Sequence, residues 1–416
     1  MERTVLHSDL NNFFASVECF LNPALRGHPV AVAGNPELRH GIVLAKNYEA
    51  KRFGIQTGEA LWQAREKCPD IIFVPPHYDK YIEYSEAVRS IYNEYTDQVE
   101  PYGLDECWLD VTGSGRLFGD GRTIADELRG RIKKELGVTV SVGVSFNKVF
   151  AKLGSDMKKP DATTLIKKDT FRETVWPLPV CDLLYVGPSS AKKLHLYGIK
   201  TIGDLALSDE RLISSLLGKN GMMLRNFANG QDNSPVALFS DEPPMKSISC
   251  GNTASRDIKT MDDVKIMLLS LATKVSERLR SYGFFCRTVQ LQVRSYDLDS
   301  YVRRQKLPHP CRTSDAIYKT ALELFVKNHR DNIPVRSMSI CAADLIPASG
   351  EQLSFEPELC RIQRRENLES AFDGLRKKFG NSIITRAVLM TDPELCTINL
   401  KNTPGILPGR MNTNEK

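Results

Sequence analysis

The sequence predicts a mixed α/β (α+β) chain of several domains, the first of them ferredoxin-like. Three observations carry this expectation. The run Thr4–Leu10 is strand-like and passes directly into a helix start at Asn11–Glu18. Residues 99–111 read as a hairpin in which apolar residues alternate with acids after a turn at Tyr102-Gly103. Helical segments at 80–95 and 122–136 flank that hairpin, and a β-branched strand follows at Val138–Val144. Strand, helix, acidic hairpin, helix, strand is the ferredoxin-like order.

Length and composition bound the rest. At 416 residues the chain has room for roughly two to four domains. Hydrophobic residues at 41% and charged residues at 26% describe a globular chain and exclude a fibrous or disordered one. Ten cysteines are scattered with no CxxC pair and no Cys/His ligand spacing, which points to reduced thiols and away from a disulfide frame or zinc site. An acid at position 9 and the lack of a long apolar core argue against a signal peptide, and no apolar run would span a bilayer. A cytoplasmic protein with no membrane contact is the expectation.

The chemistry concentrates on acids. Leu104-Asp105-Glu106-Cys107-Trp108-Leu109-Asp110 sets two adjacent carboxylates where a hairpin enters a strand. Taken alone, the pair reads as a solvated acidic turn. Asp9, however, closes the first strand. One acid ending a strand and two beginning another can meet as a three-carboxylate cluster on neighbouring strands. Mg²⁺ favours a few carboxylates plus substrate phosphates over a full protein cage. Two such ions can clamp the attacking and leaving oxygens of a phosphoryl transfer.

Asp9-Leu10-Asn11-Asn12-Phe13-Phe14-Ala15-Ser16-Val17-Glu18 resembles the opening motif of Y-family DNA polymerases, the translesion enzymes of the polymerase IV and V group. Leu104–Asp110 resembles their second acidic motif. The likeness continues in order through Ala45–Lys51, Val144–Lys148 and Asp156–Pro160. It implies a right-hand polymerase with a ferredoxin-like palm (1–10 and 77–166) and small fingers (11–76). A helical helix-hairpin-helix thumb (167–235), a linker (236–246), a separate α/β little finger (247–346) and a C-terminal extension (347–416) would follow. It implies that Asp9, Asp105 and Glu106 are catalytic and hold two Mg²⁺ ions, with the Leu10 carbonyl as a further ligand.

The elements then take roles in order. Strands at Pro29–Ala33 and Gly41–Ala45 and helices at about 47–53 and 59–67 build the fingers. Asn12, Phe13 and Phe14 would line the nucleotide site, with Phe14 as the steric gate against a ribose 2′-hydroxyl. Phe13 reads equally as a core aromatic. Tyr48 and Lys51 share a helix face and would hold the triphosphate tail. Lys159 would meet that tail from the palm, with Asn147-Lys148 supporting its loop. Three residues depart from the family pattern: Ala45 where Thr or Ser is common, Lys51 where Arg is common, and Asn11 in place of an acid.

Val186-Gly187-Pro188-Ser189-Ser190 resembles a helix-hairpin-helix, so Gly187, Ser189 and Ser190 would approach a DNA phosphate through backbone N–H groups. Strands at 287–295, 300–306 and 336–343 and helices at 260–282 and 314–328 form the next unit. Between 246 and 346 the chain carries 17 Lys and Arg against 10 Asp and Glu, which reads as a backbone-tracking DNA grip including Arg336. Gln352, Leu353 and Phe355 resemble a shortened sliding-clamp peptide. An amphipathic helix at 362–379, a strand at 383–390 and a disordered tail from about 402 complete the chain.

The expected function is template-directed, low-fidelity DNA synthesis on primer–template DNA from dNTPs, by a monomer that uses a sliding clamp. A nucleotidyl cyclase with a shared palm, or a catalytically inactive DNA-binding adaptor, are the alternatives.

Overall fold

The computed structural model describes residues 2–34, 41–241, 244–330, 333–348, 357–380 and 383–396. They fall into two units, one of residues up to 34 together with 42–241, the other of the described residues from 244 onward.

In the first unit, β1 (Val5–Leu10) is buried along its whole length because its sheet is covered on both faces. α1 (Phe13–Leu21) follows at once. A small sheet comes next, with β2 (Val30–Ala33), β3 (Val43–Lys46) and β4 (Ile72–Val74) in the order β3-β2-β4. It carries α2 (Tyr48–Arg52) and α3 (Leu61–Lys67) around its own apolar cluster. α4 (Tyr78–Asn93), β5 (Val99–Tyr102), β6 (Glu106–Asp110), the short α5 (Gly115–Phe118), α6 (Gly121–Leu136), β7 (Val140–Ser145), α7 (Lys148–Met157) and β8 (Thr163–Leu165) complete the main layer. Its five strands run in the order β5-β6-β1-β7-β8.

Period-two alternation decides what β1 offers to each face. Leu6 and Leu10 join the core under α4 and α6, with Tyr92, Ile124 and Leu128. His7 and Asp9 face the other way, toward α7. Gly143 explains how closely α7 lies on that face. A Cβ at Gly143 would stand 1.9 Å from the Ala151 carbonyl oxygen, so only glycine permits this approach.

α8 (Phe171–Val175), α9 (Pro188–Leu196), α10 (Ile202–Leu207) and α11 (Glu210–Ala228) form a helical cluster over Phe150 and Leu153 of α7. α11 breaks at Gly218, whose φ is 61°. The segment expected as a linker is pinned along its first half. Val236 is buried beside Trp108, and the Ala237 and Phe239 amides donate to Glu100 and to the Asp97 carbonyl.

The second unit is an antiparallel sheet of β9 (Ser247–Ile258), β10 (Phe284–Ser295), β11 (Ser300–Cys311) and β12 (Val335–Pro347), in the order β11-β10-β12-β9. α12 (Met261–Ser281) and α13 (Ser314–Asn328) cover its apolar face. β9 is absent from the sequence expectation, because its small polar residues show no clear alternation.

α14 (Pro357–Phe379) also departs from expectation. It buries Glu366 and Glu369 and leaves Leu368, Leu375 and Phe379 exposed. The buried Glu369 pairs with Arg280 and accepts from the Ser314 amide. The strand expected at 383–390 is instead a 3₁₀ turn at Ala387–Met390. Gln352, Leu353 and Phe355, and the tail beyond 396, lie outside the described residues. No disulfide is recorded for the described cysteines.

Candidate active site

The site begins with strand register. β1 pairs antiparallel with β6 so that Asp9 lies directly opposite Glu106. The Leu10 amide donates to the Asp105 carbonyl at 2.9 Å, which ties the end of β1 to the acidic turn. α4 supports the turn from behind. Ser85 donates to the Leu104 carbonyl, Arg89 to the Gly103 carbonyl at 2.6 Å, and Tyr92 to Ser8 at 2.6 Å. The three acids therefore share one patch at the end of two neighbouring strands.

Two lysines close the patch. Lys152 Nζ lies 2.6 Å from Glu106, 3.7 Å from Asp9 and 3.3 Å from Asp156. Lys159 Nζ lies 2.6 Å from Asp9 and 2.9 Å from Asp156. His7 is fully buried, with Nε2 3.1 Å from Glu106 and Nδ1 2.8 Å from the Ser155 hydroxyl. Burial lowers the His7 pKa to about 4, so the imidazole is neutral.

The acids respond unequally. Burial works against ionisation of Glu106, but the adjacent His7 ring and the Lys152 ammonium outweigh it and hold its pKa at about 2. Burial raises Asp9 in spite of Lys159. Asp105 is raised to about 6, first by burial and then by its neighbours Glu106 and Asp9. None of the ion pairs made by the two lysines includes Asp105.

This pattern bears on a metal. Among the described residues no group of three or more acid, His or Cys side chains is already gathered as an ion cage. The donor set nonetheless fits a hard dication. Two carboxylates are held by ammonium groups, and a third is pushed toward protonation for want of positive charge. A cation between Asp9, Asp105 and Glu106 would supply that charge.

The other expected residues take definite places. Asn12 is the left-handed residue (φ 48°) that turns the chain into α1. Phe13 is 4% exposed and belongs to the core, whereas Phe14 is half-buried and packs against that core's edge. Tyr81 stacks flat on Phe14 at 4.1 Å, and Tyr78 meets it edge-on at 5.9 Å. Tyr48 and Lys51 share one face of α2, with the ammonium 5.7 Å from the ring centroid. The Tyr48 phenol is raised by burial and feels the charges of Lys159 and Asp9, so α2 reaches the carboxylate patch.

Asn11 explains its own departure from the acid. Its amide nitrogen donates to Ser141, and its oxygen accepts from Thr139 and from the Asp161 amide. It thus fastens the loop that carries Lys159. Asn147 and Lys148 do not support that loop. Asn147 caps α7 and donates to the Gly230 carbonyl, while Lys148 pairs with Glu100.

Gly187 is the N-cap of α9, with Ser189 and Ser190 in its first turn. They belong to the helical cluster and form no part of the carboxylate patch. Arg336 is half-buried at an irregularity in the β9–β12 pairing of the second unit. His7 and Lys152 are absent from the sequence expectation. The available signals were phase and isolation. His7 alternates in step with Asp9, and Lys152 is a cation set among Val149, Phe150, Ala151 and Leu153.

The profile of the impB/mucB/samB family matches residues 8–156, and that of its C-terminal domain matches residues 245–355. The chain is 48% identical over 393 residues to a DNA polymerase IV of Acetivibrio thermocellus, covering 94% of this chain and 98% of the relative. It is 39% identical to a DNA polymerase IV of Moorella thermoacetica, covering 93% and 96%. It is 37% identical to DNA polymerase IV 1 of Bacillus subtilis, covering 94% of each chain. In fold it is similar to a Y-family DNA polymerase chimera of Dbh and Dpo4, with a TM-score of 0.74 at 24% identity, over 83% of this chain and 99% of the other. Ordered motifs, the paired acids of β1 and β6, and relatives matched over nearly their whole length agree: the chain belongs to the impB/mucB/samB family, the Y-family DNA polymerases.

Proposed function

We propose that this chain is a template-directed DNA polymerase of low fidelity, adding dNTPs to a primer 3′-hydroxyl opposite damaged template. The observation that carries the reading is the register setting Asp9 against Glu106, with Asp105 one residue away and two lysines converging on the same oxygens. A nucleotidyl cyclase has no use for the helical cluster or for the basic sheet unit. An inactive adaptor has no use for three acids that strain against one another.

Asp9, Asp105, Glu106 and the Leu10 carbonyl would hold Mg²⁺. When bound, the metal neutralises the acids and the phosphates and acidifies the primer hydroxyl. The chain's own residues do the positioning, which dominates phosphoryl transfer. The start of α1 after Asn12 offers free amides to the phosphates. Tyr48, Lys51 and Lys159 hold the triphosphate tail, and positive charge there stabilises departing pyrophosphate. Phe14 fills the space a 2′-hydroxyl would need, and a filled wall rejects that group by overlap.

Residues 1–10 and 77–166 act as palm, 11–76 as fingers, 167–235 as thumb and 247–346 as little finger. Gly187, Ser189, Ser190 and Arg336 meet DNA phosphates, which gives grip without sequence preference. Gln352, Leu353 and Phe355 recruit a sliding clamp, and the chain acts as a cytoplasmic monomer. No helix among the described residues is long and apolar enough to cross a membrane.

Primer extension with Mg²⁺ tests the reading. Asp105→Ala and Glu106→Ala are each expected to reduce incorporation by on the order of a thousandfold or more, as loss of charge stabilisation at the reacting centre does. Incorporation that survives both changes would discard the mechanism.

A further inference from the structure

Behind Phe14 lies a buried polar group that the proposed chemistry does not use. Glu18 is 4% exposed, yet among the described residues it forms no ion pair with any lysine or arginine. Its carboxylate accepts from the Tyr81 hydroxyl in a short hydrogen bond. His77 Nδ1 lies 2.9 Å from one of its oxygens and 3.1 Å from the other. Burial and the bond to Glu18 push the Tyr81 phenol far upward, so it keeps its proton and donates.

The placement follows from helical spacing. Phe14 and Glu18 are four residues apart on α1 and share a face. Tyr78 and Tyr81 are three apart on α4 and present both rings to that face. The Tyr81 ring lies 4.1 Å from the Phe14 ring at an interplanar angle of 9°. Phe13 and Tyr78 close the box at 5.5 Å and 5.9 Å from Phe14. The stacked Tyr81 ring blocks Phe14 from turning toward α4, and Tyr81 is anchored at its far end by Glu18.

We infer that Glu18 is a positioning residue for sugar selection. It acts through the Tyr81 hydroxyl to fix the ring that holds Phe14 upright. The inference rests on Phe14 being the gate. If the contact served only to glue α1 to α4, a well-packed apolar pair would do so at less cost than a buried carboxylate. A carboxylate–phenol bond adds direction, because it sets the rotation of the ring as well as its depth.

The test measures kcat/KM for dNTP and rNTP in primer extension, with folding of each variant checked by thermal melting. Tyr81→Phe removes only the hydroxyl, and Glu18→Leu removes the acceptor. Each is expected to raise rNTP use relative to dNTP by about tenfold, the worth of one hydrogen bond to a charged partner. Glu18→Gln keeps an acceptor oxygen for Tyr81 and is expected to restore most of the wild-type ratio, which simple loosening of the helix pair would not produce. Phe14→Val separates the two ideas. If it relaxes selection while folded Tyr81→Phe keeps the wild-type ratio, the role of Glu18 is overturned and the gate stands. If Phe14→Val itself keeps the ratio, the gate reading fails and takes this inference with it. Should Glu18→Leu not fold, Tyr81→Phe alone decides.

Discussion

Asp105 is the acid with the least compensation, and that has a measurable cost. Its carboxyl rises from an ordinary 3.8 to about 6 because it is buried beside Glu106 and Asp9. A folded-state pKa above the unfolded one means that folding favours the protonated form. Stability therefore falls as pH rises from about 4 through 6, and the penalty is complete above 6. A difference of roughly two pH units corresponds to on the order of 3 kcal/mol. Asp105→Asn removes the charge and keeps the shape. In divalent-free buffer at pH 8 the variant is expected to be more stable by on the order of 2–3 kcal/mol, a rise in melting temperature of roughly 4–10 °C for a unit of this size. At pH 4, where the aspartate is neutral in the folded state and only a small part of the penalty has developed, the gain should be much smaller. The same variant should be inactive in primer extension, so stability and function would move in opposite directions. Thermal melts at the two pH values, with a chelator present, make the measurement. A lower melting temperature for Asp105→Asn at pH 8, or an equal gain at both pH values, would refute the reasoning.

Other consequences are accessible to similar assays. Asn11→Ala cuts the ties from the Lys159 loop to Ser141 and Thr139, and should weaken dNTP binding, seen as a higher KM, more than it lowers kcat. In the second unit, Glu369→Ala takes one of two carboxylates from the buried Arg280, leaving Asp373, and strips the acceptor from the Ser314 amide, so it should cost about 1–3 kcal/mol in thermal unfolding.

What could be read from the chain alone was whatever lies within one element. Asp9 at a strand end, the Asp105-Glu106 turn, the shared face of Tyr48 and Lys51, and the adjacent aromatic pair Phe13-Phe14 are all matters of local spacing. What escaped lies between elements. β9 was missed because an edge strand of small polar residues carries little periodic signal. The apolar Ala387–Met390 run looked like a strand but makes a single turn, since a run that short does not distinguish the two. α14 was expected to bury its apolar stripe, yet the Arg280 on α12 draws its acids inward instead. Lys152 and His7 illustrate the limit most clearly, because each matters only through an acid on another element. Even so, a trace of their roles was present. A glycine inside the β-branched run Val140–Ser145 is costly unless something must come close, and Gly143 admits the α7 backbone to within contact of β7. Had that glycine been read as a crossing point, the helix after it would have been laid over β1. Lys152, one turn after Lys148 on its inner face, would then have fallen beside Asp9 and Glu106.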